Sequence, residues 1–244
     1  MIDIHTHILP ATDDGARDLN EALSMARLAV QDGITHMFAT PHHKSFQILS
    51  RQEVAERVAN LQNNLETADI ELTLLPGYEV RLEPDLFEDW AKETAGPLGH
   101  SRYVLAEPYF NHYDRHTDEL LFELFERGYH PVMAHPERIG PIQQDLRLIE
   151  PFLKRGGLTQ ITSHSLTGYH GERARQVART MLKEGLVHII ASDAHHAYRR
   201  TPALSEGLKL AAAIVGEAQA TAMVTTTPLA LVTDQPMTAA TMVF

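Results

Sequence analysis

Short apolar runs rich in β-branched residues recur along the chain, at Met1–Ile4, Ile34–Ala39, Glu71–Leu75, Arg102–Leu105, Pro131–Ala134, Leu158–Thr162 and Val187–Ala191. Between them lie stretches whose apolar residues fall three and four apart, as on one face of a helix. These are Asn20–Asp32, Gln52–Ala68, Thr117–Arg127, Leu146–Arg155, Glu172–Glu184 and Ala203–Ala218. Gly33, Gly128, Gly156-Gly157 and Gly185 stand where several of them stop, as helix C-terminal caps do. Strand–helix alternation of this kind implies an α/β fold with a parallel sheet and crossover helices. Sustained along the whole chain, it favours a closed or nearly closed barrel, whose functional residues gather at the C-terminal ends of the strands.

Those ends are where the histidines and acids fall. His5 and His7 close the first run, two residues apart, so that a strand would turn both imidazoles the same way. Asp13-Asp14-Gly15 follows. Then come Ala39-Thr-Pro-His-His43, Leu75-Pro-Gly-Tyr-Glu79, Leu105-Ala-Glu-Pro108, Met133-Ala-His-Pro-Glu-Arg138 and Ala191-Ser-Asp-Ala-His195. A pair of surface histidines is the bland reading of His5 and His7 alone. Six such coincidences in one chain argue against it.

The charge balance narrows the chemistry. With 21 Lys and Arg against 32 Asp and Glu, the net charge is −11, and no basic track suggests a nucleic-acid partner. Cysteine is absent, which suits a cytoplasmic protein and rules out a thiol nucleophile or thiolate ligands. We expect no signal peptide, because Asp3 interrupts the first run. The longest uncharged stretch, residues 218–233, is too short and too rich in threonine to span a bilayer. At 244 residues a single domain, 1–244, is expected, with the Thr/Pro-rich tail from Thr225 lying over the barrel.

Nitrogen and carboxylate donors without thiolate suit Mn, Fe, Zn, Co or Ni. His5, His7, Asp14, His42, Glu79, Glu107, His135, Asp193 and His195 are too many for one tetrahedral ion, so two or three divalent ions are expected. Ions held close together favour in-line displacement at phosphorus. Arg138 and Arg200 supply planar forks suited to phosphate oxygens, whereas Arg199 reads as a surface residue.

His-Thr-His at 5–7, Thr40-Pro-His42, Pro-Gly-x-Glu79, Glu107-Pro, His135-Pro-Glu-Arg138 and Ser192-Asp-Ala-His195 together resemble the polymerase and histidinol phosphatase (PHP) superfamily. Ile4-His-Thr-His-Ile-Leu-Pro10 with Asp13-Asp-Gly15 is similar to its bacterial protein-tyrosine phosphatase branch, which accompanies capsule and exopolysaccharide synthesis. The match runs from residue 2 to about 200. It implies a distorted (β/α)7 TIM-like barrel, the PHP fold, with three metal ions, manganese favoured. One ion would use His5, His7, Glu79 and Asp193, a second Glu79, Glu107 and His135, a third Asp14, His42 and His195. Arg138 and Arg200 match phosphate-gripping arginines, and His42 or His195 would act as a general acid only if not both bind metal. The implied substrate is a tyrosine-phosphorylated protein, a kinase of polysaccharide export.

Where the family commonly has Gly-Ile, this chain has Ala11-Thr12, which puts the loop carrying Asp14 in question and leaves open whether Asp13 or Asp14 is the ligand. His43, His164 and His196 stand beside matched positions within reach of substrate, although such neighbours are more often ordinary polar residues. A histidinol-phosphate phosphatase would use the same metals with a deep pocket and an acidic group for the amine. A protein-tyrosine phosphatase would show an apolar-rimmed mouth, for which Phe46, Tyr78, Tyr109, Phe110, Tyr113, Tyr169 and Tyr198 are the candidates. A non-catalytic metal-binding module is the third reading, and the surplus of ligands and the arginines argue against it.

Overall fold

Residues 1–237 are described by a computed structural model. Among them, eight strands follow in order: β1 (Ile2–Thr6), β2 (His36–Ala39), β3 (Thr73–Pro76), β4 (Glu79–Arg81), β5 (Tyr103–Glu107), β6 (His130–Ala134), β7 (Leu158–Thr162) and β8 (Ile189–Ala191). All pairings are parallel, in two sheets ordered β1-β2-β3 and β4-β5-β6-β7-β8. The α/β fold with parallel sheets is as expected.

The count differs from the seven expected strands at one place. Pro76 brings no N–H to the ladder, so β3 stops there. The chain turns at Gly77, where a Cβ would lie 2.9 Å from the Leu98 side chain, and restarts as β4 in the other sheet. Glu79 therefore opens a strand instead of trailing one. The two sheets touch through isolated bridges at two seams, Thr6 with Ala194 and His42 with Glu79. At the first, Asp193 N donates to His5 O at 2.9 Å and His7 N to Ala194 O at 2.8 Å. The first seam lies at the C-terminal ends of β1 and β8, the second between the residues after β2 and the start of β4, and both are among the candidate ligands.

Helices Leu19–Gln31, Arg51–Thr67, Arg115–Glu126 and Glu172–Lys183 match the periodic stretches. The Asp18 side chain caps the first, and Ser50 with Glu53 forms a reciprocal capping box on the second. Two expected helices are broken. Pro151 divides 146–155 into a 3-10 turn (Leu146–Ile149) and a short α-helix (Glu150–Lys154). Gly216, at φ 87°, separates Ser205–Val215 from Glu217–Ala222. No helix among the described residues is long and apolar enough to cross a membrane.

Two apolar clusters hold these layers together. The larger packs the helices against the outer strand faces. The smaller is shared by both sheets: Ile2 and Ile4 of β1, Phe38 of β2, Tyr103 and Leu105 of β5, Val132 of β6, Leu158 of β7 and Ile189 of β8. The tail does more than lie over this cluster. Its helix, Thr226–Val232, sends the fully buried Leu231 into it, a burial that stabilises by roughly 1.5–3 kcal/mol. Ile2 N donates to Val224 O at 2.8 Å, Tyr103 Oη to Gln235 O at 2.8 Å, and Arg102 pairs with Asp234.

Candidate metal centre

The strand ends bring nine donor side chains into four overlapping groups whose ligand atoms lie within 4.8 Å of one another: His5, His7 and Asp193; His5, Glu79 and His135; His42, Glu79 and Glu107; His7, Asp14, His42 and His195. Every candidate ligand read from the sequence is in this set. Glu79 is its hub. Its carboxylate lies 2.9 Å from His135 Nε2, 2.9 Å from His42 Nδ1, 3.3 Å from His5 Nε2 and 3.4 Å from His7 Nε2.

Supporting contacts orient these rings. His7 Nδ1 faces Asp13 Oδ2 at 2.7 Å, while His5 Nδ1 meets Gln160 Oε1 at 3.0 Å. Asp13 also accepts the His42 and Gly15 N–H groups. The two adjacent aspartates thus divide the work: Asp13 turns inward to hold His7, and the exposed Asp14 reaches His42 Nε2 at 3.4 Å and His195 Nε2 at 3.3 Å. Such partners fix tautomer and ring orientation. Gly15 lets the loop fold back on His7, since a Cβ there would lie 1.9 Å from His7 O. Ala11 adopts φ 51° without a glycine's freedom, at a cost of about 1–2 kcal/mol, and Asp14 still reaches the cluster. His135 and Asp193 also take left-handed angles, φ 34° and 51°. Strained non-glycine backbone of this sort gathers at functional sites.

The electrostatics call for cations. Burial would raise the Glu79 carboxyl, but the charge of His5 and His42 and hydrogen bonds with His135 and His42 hold it well below the usual range. Burial, then the negative charge of Glu79, pushes Glu107 up to about 8. For Asp193 burial is again opposed, by His5, Arg200 and Arg138, and its carboxyl stays low. Two buried carboxylates side by side, ringed by imidazoles and aimed at one cavity, are a donor set that divalent cations fit.

That cavity holds about 170 Å³ and is lined by Asp14, His42, Glu79, Glu107, His135, Asp193 and His195 together with Arg81, Phe110, Arg138 and Arg200. Arg138 Nη1 lies 2.5 Å from Asp193 Oδ2, which Arg200 Nη2 also contacts. Arg81 was missed from sequence. Its Nη2 pairs with Glu107 Oε2 at 2.7 Å. The available signal was spacing: two residues after Glu79 on one strand, it shares that residue's face.

The histidines beside the matched positions lie elsewhere, as ordinary polar neighbours do. His43 is buried and accepts the Arg81 N–H at Nδ1, with burial lowering its pKa to about 4. His164 Nε2 donates to Thr201 O, and His196 stacks on Tyr198. None of the three lines the cavity. Arg199 is exposed, as expected. Tyr78 and Tyr113 are core residues at 3% and 8% exposure, not rim, while Phe46, Tyr109, Phe110, Tyr169 and Tyr198 are exposed.

The chain is 39% identical to the tyrosine-protein phosphatase YwqE of Bacillus subtilis over 210 residues, 85% of this chain and 82% of that one. It is 26% identical to the tyrosine-protein phosphatase CpsB of Streptococcus pneumoniae over 241 residues, 96% of this chain and 99% of that one. A crystal structure from work on these two proteins, described as metal-dependent tyrosine phosphatases, superposes with a TM-score of 0.92 at 36% identity, covering 98% of this chain and 96% of that one. The model of the family "Capsular polysaccharide synthesis, CpsB/CapC" matches residues 1–233, so the resemblance extends through the tail helix. The chain belongs to the CpsB/CapC family.

Proposed function

We propose that this chain is a metal-dependent phosphomonoesterase that hydrolyses phosphotyrosine on a protein, as its relatives are named to do. The observation that carries the reading is one cavity in which three guanidiniums, those of Arg81, Arg138 and Arg200, face a cluster of imidazoles and carboxylates. Two or three divalent ions fit that donor set, manganese favoured. One would be held by His5, His7, Glu79 and Asp193, another by Glu79, Glu107 and His135, and a third by Asp14, His42 and His195. Bound there, such ions neutralise phosphoryl oxygens and lower the pKa of a water.

The chain's own residues supply the rest. Arg138 and Arg200 grip the phosphoryl oxygens, with Asp193 keeping both forks in place. Asp13 and Gln160 hold His7 and His5 in their donor orientations. With His42 and His195 both in the ligand set, neither is free as a general acid. A phenolate leaves with little protonation, since tyrosine has a pKa of about 10.

On this reading the two sheets, bridged at both seams, form a distorted (β/α)7-type barrel acting as a single domain in the cytoplasm. Its substrate is a tyrosine-phosphorylated protein, a kinase serving polysaccharide export. A histidinol phosphatase would want free carboxylates at the mouth to meet an amine. Glu83, Asp85 and Asp89 are instead gathered around Lys44.

The test is phosphate release by the manganese-loaded protein from a phosphotyrosine peptide, a phosphoserine peptide and histidinol phosphate. Preference for the phosphotyrosine peptide, abolished by chelator and lost with bound metal in His135→Ala, is expected. Preference for histidinol phosphate, or full activity in that variant, would sink the reading.

A further inference from the structure

Tyr109 and Phe110 follow Glu107-Pro108 at the cavity mouth, each beside an arginine of the cavity. The Arg81 guanidinium lies 5.3 Å from the Tyr109 ring centre, and the Arg138 guanidinium 4.8 Å from that of Phe110. Phe110 also stacks on His135, with ring centroids 5.2 Å apart and planes 20° from parallel. The loop is held at both residues. Tyr109 Oη donates to Glu83 Oε1 at 2.7 Å, and the Phe110 carbonyl accepts the Gly140 N–H at 2.6 Å. A Cβ at residue 140 would crowd that same oxygen at 3.3 Å.

Exposure rises from floor to lip. Glu79, Glu107, His135 and Asp193 are 1% exposed, the Arg138 and Arg200 side chains 16% and 19%, and Phe110 40%. Among the described residues, Phe110 is the one apolar side chain lining the cavity. Phe110 thus stands on one side of the mouth, beside Arg138, with the exposed Asp14 also lining the cavity.

We infer that Phe110 forms an aryl subsite, a wall against which the phenyl ring of the leaving group packs, so that it selects aryl over alkyl phosphate esters. The inference rests on the phosphomonoesterase reading above. Tyrosine carries its phosphate on a long apolar arm, which spans the lip and stacks on an aromatic wall. Serine offers a single methylene. To reach the same depth it draws peptide N–H and C=O groups against the Phe110 ring, where they lose water without gaining partners. Because His135 and Gly140 already hold Phe110, little freedom is lost when the substrate ring arrives.

The experiment compares kcat/KM for phenyl phosphate and ethyl phosphate in the manganese-loaded parent, Phe110→Ala, Phe110→Leu and Phe110→Trp. Loss of the ring in Ala or Leu should lower the aryl-to-alkyl ratio by about tenfold. Trp should restore it. The inhibition constant of inorganic phosphate, which has no leaving group, should stay within about twofold across the series. A parallel loss on both esters, or phosphate binding weakened by the same factor, would mean that the ring merely steadies Arg138 and His135, and the inference fails. Retention of the parent's aryl preference in Phe110→Ala also overturns it, leaving the phosphatase reading intact. A metal-loaded parent that cleaves neither ester overturns both.

Discussion

The strand ends and their adjoining loops gather nine His, Asp and Glu side chains, seven of which line one cavity. A few residues back along the same strands stand Ile2, Ile4, Tyr103, Leu105, Val132, Leu158 and Ile189, packed together and filled out by Leu231 of the tail. The upper end is a set of buried charged groups in which Glu79 and Glu107 repel each other, with His135 and Asp193 in left-handed backbone. The lower end is chiefly apolar packing, edged by the hydrogen bonds of Tyr103 and Ile2 to the tail and the Arg102–Asp234 pair. The difference teaches that one end carries the chemistry at a cost in stability, and the other supplies the stability that sustains it.

Three changes probe that division. The largest effect is expected from Glu107→Gln, which keeps the shape and replaces a carboxyl that burial and Glu79 already push toward its neutral form. The metal-stripped variant should melt no lower than the parent, while phosphatase activity in the loaded protein falls at least about 100-fold, more than the loss of an orienting partner costs. Calorimetry beside a phosphate-release assay reads both. A lower melting temperature would show that the upper end contributes stability after all.

Leu231→Ala asks the reverse question. Emptying a fully buried position should cost about 2–5 kcal/mol in chemical denaturation, with kcat/KM per folded molecule unchanged. A large drop in kcat/KM would tie the two ends together.

The smallest effect concerns pH. His188 is buried beneath the sheet, accepts the Thr159 N–H at Nδ1, and burial lowers its pKa to about 4. An unfolded histidine titrates near 6.5, so below that pH the unfolded chain takes up the proton first. The His188 contribution is complete above about 6.5 and is lost as pH falls toward 4, at about 1.4 kcal/mol per unit. Denaturation of His188→Asn, whose amide oxygen can accept the same N–H, should show a pH dependence shallower by about one proton between pH 6 and 5. Identical slopes would remove His188 from the account.

The upper end was largely legible in the sequence because its residues are chemically distinctive and recur at one structural position. His5, His42, His135 and Asp193 each follow or close an apolar run, and that repetition identified them. What escaped depended on a turn. Reading Pro76-Gly77-Tyr78-Glu79 as the end of a strand concealed β4, and with it the face that Arg81 shares with Glu79. Likewise, nothing local distinguishes Asp13 from Asp14 until the loop folds back over His7 at Gly15. At the lower end the strand residues were legible as apolar runs, and what escaped was the tail's share. Leu231 lies in a Thr/Pro-rich stretch with no clear period, and its partners are far away in sequence, on β1, β5 and β8.

The tail's place in the smaller apolar cluster bears on how the protein comes into being. Synthesis runs from the N-terminus, and a growing chain begins to fold before it is complete. The last of the nine donors, His195, therefore leaves the ribosome well before Leu231 does. Every newly made chain passes through an interval in which all nine donors have emerged while the floor beneath them still lacks Leu231.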